Sequence, residues 1–566
     1  MKIFEINIAD ILKNRRGNKN EMQLKTKIII SLVLGILSAA VLFYVFLPPI
    51  NLMSKSFWVY LTAVIAAFSL PFLKLGDGYV SVTEVNGRIK KSYSAGANKW
   101  LLLAVAVPIL VLILGNLVSS PLFNARRYAG IIEVKESDFA TDLPESNEVT
   151  NIALMDTASA MILGNRTLGS LSHVVSQYTV SDTYTQINYK NTPKKVANLE
   201  YDGFFKWVGN RDNGIPGLVI VDPVNSSAEY VELAEPIHYV ESGYFGDDLM
   251  RKLRFMYPTK IFDYDSISFE LDDEGNPYYI ISCYRPKVAL FGAKDVTEVI
   301  IFDPTDASSE LYKVADTPAW VDIVYDGYLA TEKYNWHGTL SGGYLNSIIG
   351  NVGCKMATDD FGYIVIDDDV WYFTGVTSAV SNDKSNIGFI LSNARTGEYK
   401  FYPVIGAEEH SAMAAAEGEV QEKGYVASFP SLVNISGQAT YIMVLKDAAG
   451  LVKLYALVNV ENYSIVATGA TQADAMSAYK KLLRQNDIEI GADDQTAEIT
   501  VKDVEIVMLS GVATVYIKAD DGKVYKGYLE ADEALILIEP ESKLKINYTE
   551  SGVDKIFIIS SWEFAK

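Results

Sequence analysis

Residues 218–233 read LVIVDPVNSSAEYVEL, and nearly the same text returns as VIIFDPTDASSELYKV at 299–314. A looser copy, GFILSNARTGEYKFYPV, occupies 388–404. In each copy apolar and polar residues alternate at a period of two, as in a half-buried antiparallel strand. Asp222-Pro223, Asp303-Pro304 and Asn393 stand where the first strand must stop. Asp and Asn bond to the backbone of a turn, and Pro presets its angle. Glu229, Glu310 and Glu398 then open a returning strand.

The segment after each copy also recurs. GDDLMRKLRFMY spaces Leu249, Leu253 and Met256 for one helical face. DTPAWVDIVY offers Asp316 as an N-cap and Pro318 near a first turn. GAEEHSAMAAAEGEV is rich in Ala and Glu, which favour helix, and places Met413 on it. The expected unit is a hairpin, a helix laid on one sheet face, then more sheet. One helix covers little of a sheet, so such units are expected to be joined.

Outside the copies, 121–216 reads as a mixed α/β lead-in, and 334–387 as a Gly- and Asp-rich connecting segment around YNWHGTLSGGYLNSIIGNVGCKM. TQADAMSAYKKLLRQ, from Thr471, reads as a helix with Ala475, Tyr479 and Leu482 on one face. Residues 491–566 read as five or six short strands, ALILI among them, in a small OB-like barrel.

Charge is unevenly placed along the 566 residues. The first hundred carry 13 Lys+Arg against 5 Asp+Glu, a net of +8 in a chain of net −21, which leaves −29 for the remainder. A body this acidic is a poor partner for nucleic acid, whose phosphates need a basic face.

Three uncharged apolar runs, Ile28–Ile50, Ser56–Leu73 and Trp100–Val118, have the length that crosses ~30 Å of hydrocarbon as helix. The first ends in Pro48-Pro49 rather than a small-residue cleavage site, so it reads as a span and not a leader. The first 27 residues carry seven Lys and Arg, and the loop 74–99 carries five. The other side has Lys55, Arg126 and Arg127. Lys and Arg resist translocation, so the N-terminus is expected in the cytoplasm and residues 120–566 outside. The inner loop is expected to hold a small hairpin turning at Asn86-Gly87.

The helix followed by FELDDEGNPYYIISCY and VTEVIIFDPTDASSELYKV resembles a PepSY-type module, over 217–315 and again roughly 388–485. With its three-span anchor the chain resembles a group of membrane proteins of Gram-positive bacterial envelopes. The resemblance implies an α+β body of repeated sheet-plus-helix modules. The PepSY likeness also implies one role, regulation of an extracellular protease, while the 35 tyrosines and exposed sheet edges favour binding or scaffolding in the envelope.

No nucleophile elbow, Walker loop or HExxH motif is present, and His173, His238, His337 and His410 lack ligand spacing. SNDK at 381–384 has Ser-x-x-Lys spacing without its companion motifs. Acidic turns supply weak calcium candidates in Asp272, Asp273, Asp359, Asp360, Asp367 and Asp369, with ordinary hairpin turns as the competing reading. Glu408, Glu409 and His410 form the next acidic group. Cys283 and Cys354 could pair outside the cell, but burial of free Cys favours two separate core residues. The expectation is therefore a non-enzymatic protein without a required cofactor. Its partners would be lipid along 28–118, and another envelope protein or a second copy of itself. A wall-polymer hydrolase with paired carboxylates is the remaining alternative.

Overall fold

The computed structural model describes residues 24–72, 79–85, 88–94, 99–146, 154–366, 368–379, 385–486, 488, 495–509, 512–529, 532–550 and 555–565. The chain divides into two compact units. One comprises the chain through Ser119 with Leu253–Ile261 and Ala289–Gly292; the other comprises everything else.

The first unit holds three helices long and apolar enough to cross a membrane: α1 (Leu24–Phe46), α2 (Lys55–Ser69, which a 3₁₀ turn continues to Phe72) and α3 (Lys99–Ser119). α1 stops four residues before the expected Ile50. Leu47 takes a left-handed φ of 48°, and the prolines after it have no amide to continue the ladder. Two segments from far along the sequence pack at the C-terminal ends of α1 and α3. The Phe255 ring meets Phe43 edge-on at 5.4 Å, and Ile50 N donates to Pro258 O at 2.6 Å. Gly115 leaves room for Phe291, whose ring would lie 2.4 Å from any Cβ there. In the loop between α2 and α3, Tyr79–Val85 pairs antiparallel with Arg88–Ser94. The Asn86-Gly87 turn itself lies outside the described residues.

The second unit is built from a helix followed by an antiparallel meander, four times over. Module 1 has α4 (Thr157–Gly169) and strands β1 (Tyr178–Val180), β2 (Thr185–Tyr189), β3 (Thr192–Tyr201), β4 (Ile215–Asp222) and β5 (Ser227–Ile237). Module 2 has α5 (Leu249–Met256) and strands β6 (Ile267–Leu271), β7 (Pro277–Val288), β8 (Gly292–Phe302) and β9 (Ser309–Lys313); α5 from Leu253 onward and Gly292 belong to the first unit. Module 3 has α6 (Gly327–Leu340) with β10 (Lys355–Ala357), β11 (Gly362–Ile366), β12 (Asp369–Ser378), β13 (Gly388–Asn393) and β14 (Tyr399–Tyr402). Module 4 has α7 (Glu409–Glu419) with β15 (Val426–Ala427), β16 (Ser431–Ile435), β17 (Gln438–Lys446), β18 (Val452–Asn459) and β19 (Val466–Gly469). In modules 1, 3 and 4 two short strands share one long neighbour, and the rest pair in chain order.

The last turn of every module begins with an Asx residue whose side chain accepts from amides ahead of it. Asp222 Oδ1 takes Val224 N and Asn225 N, Asp303 takes Thr305 N, and Asn393 takes Arg395 N and Thr396 N. Asn459 takes Asn462 N at 2.7 Å, which makes the turn after β18 a fourth copy. The repeat is thus fourfold and starts with its helix. The window 217–315 cuts across modules 1 and 2, and 388–485 runs from the end of module 3 past module 4. Residues 334–387 are not a connector: they hold the second half of α6 and β10–β12. Pro318 starts no helix after the second copy; Asp326 caps α6 instead, accepting from Leu329 N at 2.8 Å. Leu249 and Leu253 of α5 are fully buried, and Met413 is half-buried.

Modules 3 and 4 show how the layers form. Phe373, Phe389 and Leu391 point to one face of the module 3 sheet, where they meet Tyr441, Met443 and Val458 of module 4. Ala412 and Ala416 of α7 join that core. Their neighbours Val370, Tyr372 and Ile390 point the other way, against Ala330 and Tyr334 of α6. Ile442, Val444 and Leu457 face a further helix, α8 (Gln472–Gln485), through Ala475, Tyr479 and Leu483. Sheets covered on both faces demand near-continuous apolar strands, which β13 and β17 have. The lead-in ties onto the far modules. Val134–Glu136 lies parallel beside β14, and Asn434 Nδ2 donates to Leu143 O at 2.9 Å. Lys446 of module 4 reaches back to Asp156, the N-cap of α4, at 2.5 Å.

The C-terminal strands β20 (Gln495–Leu509), β21 (Val512–Ala519), β22 (Val524–Tyr528), β23 (Lys543–Glu550) and β24 (Ile556–Phe564) pair in a closed circuit, β20-β21-β22-β24-β23. ALILI is not a strand there but most of a 3₁₀ turn, Glu533–Leu537, capped by Asp532. Its Leu535 is 2% exposed and packs with Val515, Tyr525 and Ile546 inside the circuit.

Candidate ligand-binding groove

Three adjoining clefts, of about 320, 260 and 100 Å³, open where the modules meet, and all three are lined by Gln186 and Tyr363. Strand pairing places these two. Gln186 of β2 stands opposite Lys195 of β3, and Tyr363 of β11 stands opposite Tyr372 of β12. Aromatic rings form the saddle between the two larger clefts. Phe361 meets Tyr328 edge-on at 5.3 Å and Tyr372 at 5.4 Å, and Tyr363 lies 5.2 Å from Tyr372. Tyr328 is 78% exposed, in the first turn of α6. α4 can approach the far wall because it has glycine there: a Cβ on Gly164 would sit 2.0 Å from the Tyr184 hydroxyl.

The two larger clefts differ in charge. The 320 Å³ cleft is lined by Glu241, Asp265 and Asp326. Asp326 is committed to the fold, capping α6 and accepting from Tyr284 Oη at 3.2 Å. The 260 Å³ cleft is lined by Lys195, Asp156 and Asp360. Lys195 is 3% exposed. Its Nζ lies over the Tyr363 ring, 5.2 Å from the centroid, and makes one long hydrogen bond, 3.4 Å to Thr157 Oγ1. Asp156, the carboxylate that acts on it, is held by Lys446. Burial pushes the Lys195 ammonium down to about 8, against which Asp156 pulls up.

Behind the groove sits a buried carboxyl pair. Glu270 is fully buried and accepts from Asp322 N at 2.7 Å, Ile323 N at 3.1 Å and Ser268 Oγ at 2.8 Å. Burial raises it to about 7, and burial with the neighbouring Glu270 raises Asp322 well above the carboxylate range. Neither lines a cleft wall, although their neighbours Ser268 and Ile323 do.

The acidic turns are scattered rather than gathered. Asp272 is a turn residue accepting from Asn276 N at 2.8 Å, and Asp273 is exposed beside it. Asp359 and Asp360 are exposed ahead of β11, where Asp360 accepts from Phe361 N. Asp369 is taken by Arg395 Nε and Asn393 Nδ2, each at 2.8 Å. Asp367 and the SNDK stretch lie outside the described residues. Among the described residues no three His, Cys, Asp or Glu side chains are placed to hold a metal ion. Glu409 is 1% exposed and accepts from Gly375 N at 2.6 Å, a structural role, and burial raises its carboxyl. Cys283 and Cys354 are separate and buried, and they are not joined in a disulfide. His238 and His337 bond to the backbone carbonyls of Arg211 and Ala129.

No family model and no curated protein matches the chain. Among solved structures, the crystal structure of an ancestral GH74 enzyme aligns at 9% identity with a TM-score of 0.15, a likeness too low to carry an argument. The alignment covers 62% of this chain and 42% of that one.

Proposed function

We propose that this is a membrane-anchored, non-enzymatic binding protein of a cell envelope, whose body outside the membrane holds a ligand in the groove between its modules. The observation that carries the reading is the aromatic saddle of exposed Tyr328 and half-buried Phe361 and Tyr363, which joins a cleft whose charged groups are carboxylates alone to one that holds the buried Lys195. Concave sites with aromatic walls and a few convergent polar groups are where proteins take ligands. The excess of Lys and Arg before α1 and between α2 and α3 supports an inner N-terminus and an outer body. Helix-plus-meander modules support the PepSY-type likeness. The circuit order of the last five strands supports an OB-like one.

The test is a photo-crosslinking phenylalanine at Tyr328 in living cells, with Tyr463, 57% exposed on a turn of module 4, as control. An adduct at 328 that is absent at 463 and lost with Phe361→Ala is expected. Equal labelling at both positions defeats the reading. A protease in the adduct would turn the role toward regulation.

A further inference from the structure

The groove has one feature that the fold itself does not explain. Among the described residues Lys195 is a buried cation with no ion pair and a single 3.4 Å hydrogen bond, yet it lines a cleft. Its strand neighbour Lys194 shows the ordinary solution, a 2.7 Å pair with Asp222. Leaving an ammonium buried without a partner costs stability, and a nearby lysine shows that partners are easily supplied. Across the saddle the second cleft holds Glu241 and Asp265, both exposed and neither in an ion pair among the described residues. The two clefts share Gln186, Tyr328, Phe361 and Tyr363. A ligand lying over those rings meets, at one end, a buried ammonium with Asp156, itself held by Lys446, and the exposed Asp360 beside it, and at the other end carboxylates alone.

We infer that the groove takes a short peptide with both termini free. Its carboxylate would lie at Lys195, its chain over the Tyr328–Phe361–Tyr363 saddle, and its amino group toward Glu241 and Asp265. The inference rests on the groove being a ligand seat, as proposed above. A carboxylate supplies the missing counter-charge to Lys195 by a charge-assisted bond, in a site dry enough for it to matter. An ammonium at the other end joins negative charge and ring faces, both of which attract cations. The Gln186 side chain, 3% exposed between the clefts, spends its amide hydrogens on Lys194 O and Ile187 O.

The experiment uses the full chain in detergent, dialysed to equilibrium against an equimolar mixture of tripeptides with free termini. Matched mixtures, one C-terminally amidated and one N-acetylated, run beside it, with retention read by mass spectrometry. Retention of the free tripeptides is expected, reduced at least tenfold by either blocking group. Lys195→Met should erase the penalty for amidation and leave that for acetylation. Glu241→Gln with Asp265→Asn should do the converse. Lys195→Met removes an unpaired charge, so its melting point should hold; should it not fold, Tyr328→Ala, at an exposed site, must still lower retention of the free tripeptides. Equal retention of amidated and free peptides, amidation sensitivity surviving Lys195→Met, or no retention of any mixture overturns the inference. An adduct at Tyr328 without tripeptide retention would sink the peptide and keep the binding role. Loss of the adduct would sink both.

Discussion

Leucine is treated in opposite ways in the two units. In the anchor, Leu32, Leu110 and Leu114 are about half exposed, at 49%, 52% and 48%, and Ile113 is 60% exposed. In the body, Leu391, Leu445 and Leu457 are fully buried between sheets and helices. The residue type is the same, so the difference lies in the solvent each unit expects. A helix apolar on every side has no polar face to give to water, and lipid is the medium that accepts it. A sheet strand in the body can be as apolar as a span, because helices or other sheets cover both of its faces.

Truncations can break this contrast. Phe389, fully buried where two sheets meet, should cost about 3–5 kcal/mol as Phe389→Ala, read from denaturant unfolding of the body. A loss under about 1 kcal/mol would mean that the module 3 and 4 sheets do not share a core. The second effect is on pH. Glu270 is raised above its unfolded value, so its cost is absent while it is protonated in both states and grows as pH rises from 4.5 to about 7. Stability should therefore fall across that window, by roughly 1–3 kcal/mol from this group. Melting temperatures of Glu270→Gln should show a flatter slope there, and an unchanged slope would assign the effect elsewhere. Next comes the repeat turn. Asn393→Ala and Asn459→Ala should each cost about 1 kcal/mol through lost Asx bonds. A penalty at 393 with none at 459 would demote the fourth copy. The smallest effect sharpens the contrast. Ile113→Ala on α3 should leave unfolding of the body unchanged within ~0.5 kcal/mol.

The spans and three of the four Asx turns were legible because their signals are local, whereas the module boundaries drawn around those turns were not. A span is a composition, and the Asp-Pro turn between alternating runs is a short text. The fourth copy, Asn459–Ile465, escaped because VNVENYSI lacks Pro and any long polar loop, although its Asx bond is the same. α6 escaped for a different reason. GYLATEKYNWHGTL has Gly at both ends and no polar stripe, since Lys333 is itself buried, 2.6 Å from Asp295. Its neighbours on several sides remove the amphipathic period that marks a helix. The groove was illegible because its walls come from all four modules. Lys195 in NTPKKVANLEY reads as one more surface charge, and only the pairing of β3 with β4 and β2 turns it inward. Glu241, Asp265 and Asp326 lie apart in sequence, so no spacing announces three carboxylates in one cleft.

The pair between Lys446 and Asp156 spans 290 residues. A ribosome adding about 5–20 residues each second needs roughly 15–60 s to travel that distance. Through that interval the start of α4 waits for the strand that will hold its cap. The groove walls contributed by modules 1 and 4 cannot meet before the wait is over. Early portions of the body must then persist half-assembled while the later ones are made, with apolar sheet faces open and edges unpaired. For a protein of this build, the hazard of aggregation falls in the last minute of synthesis, and whatever shields those faces must act then.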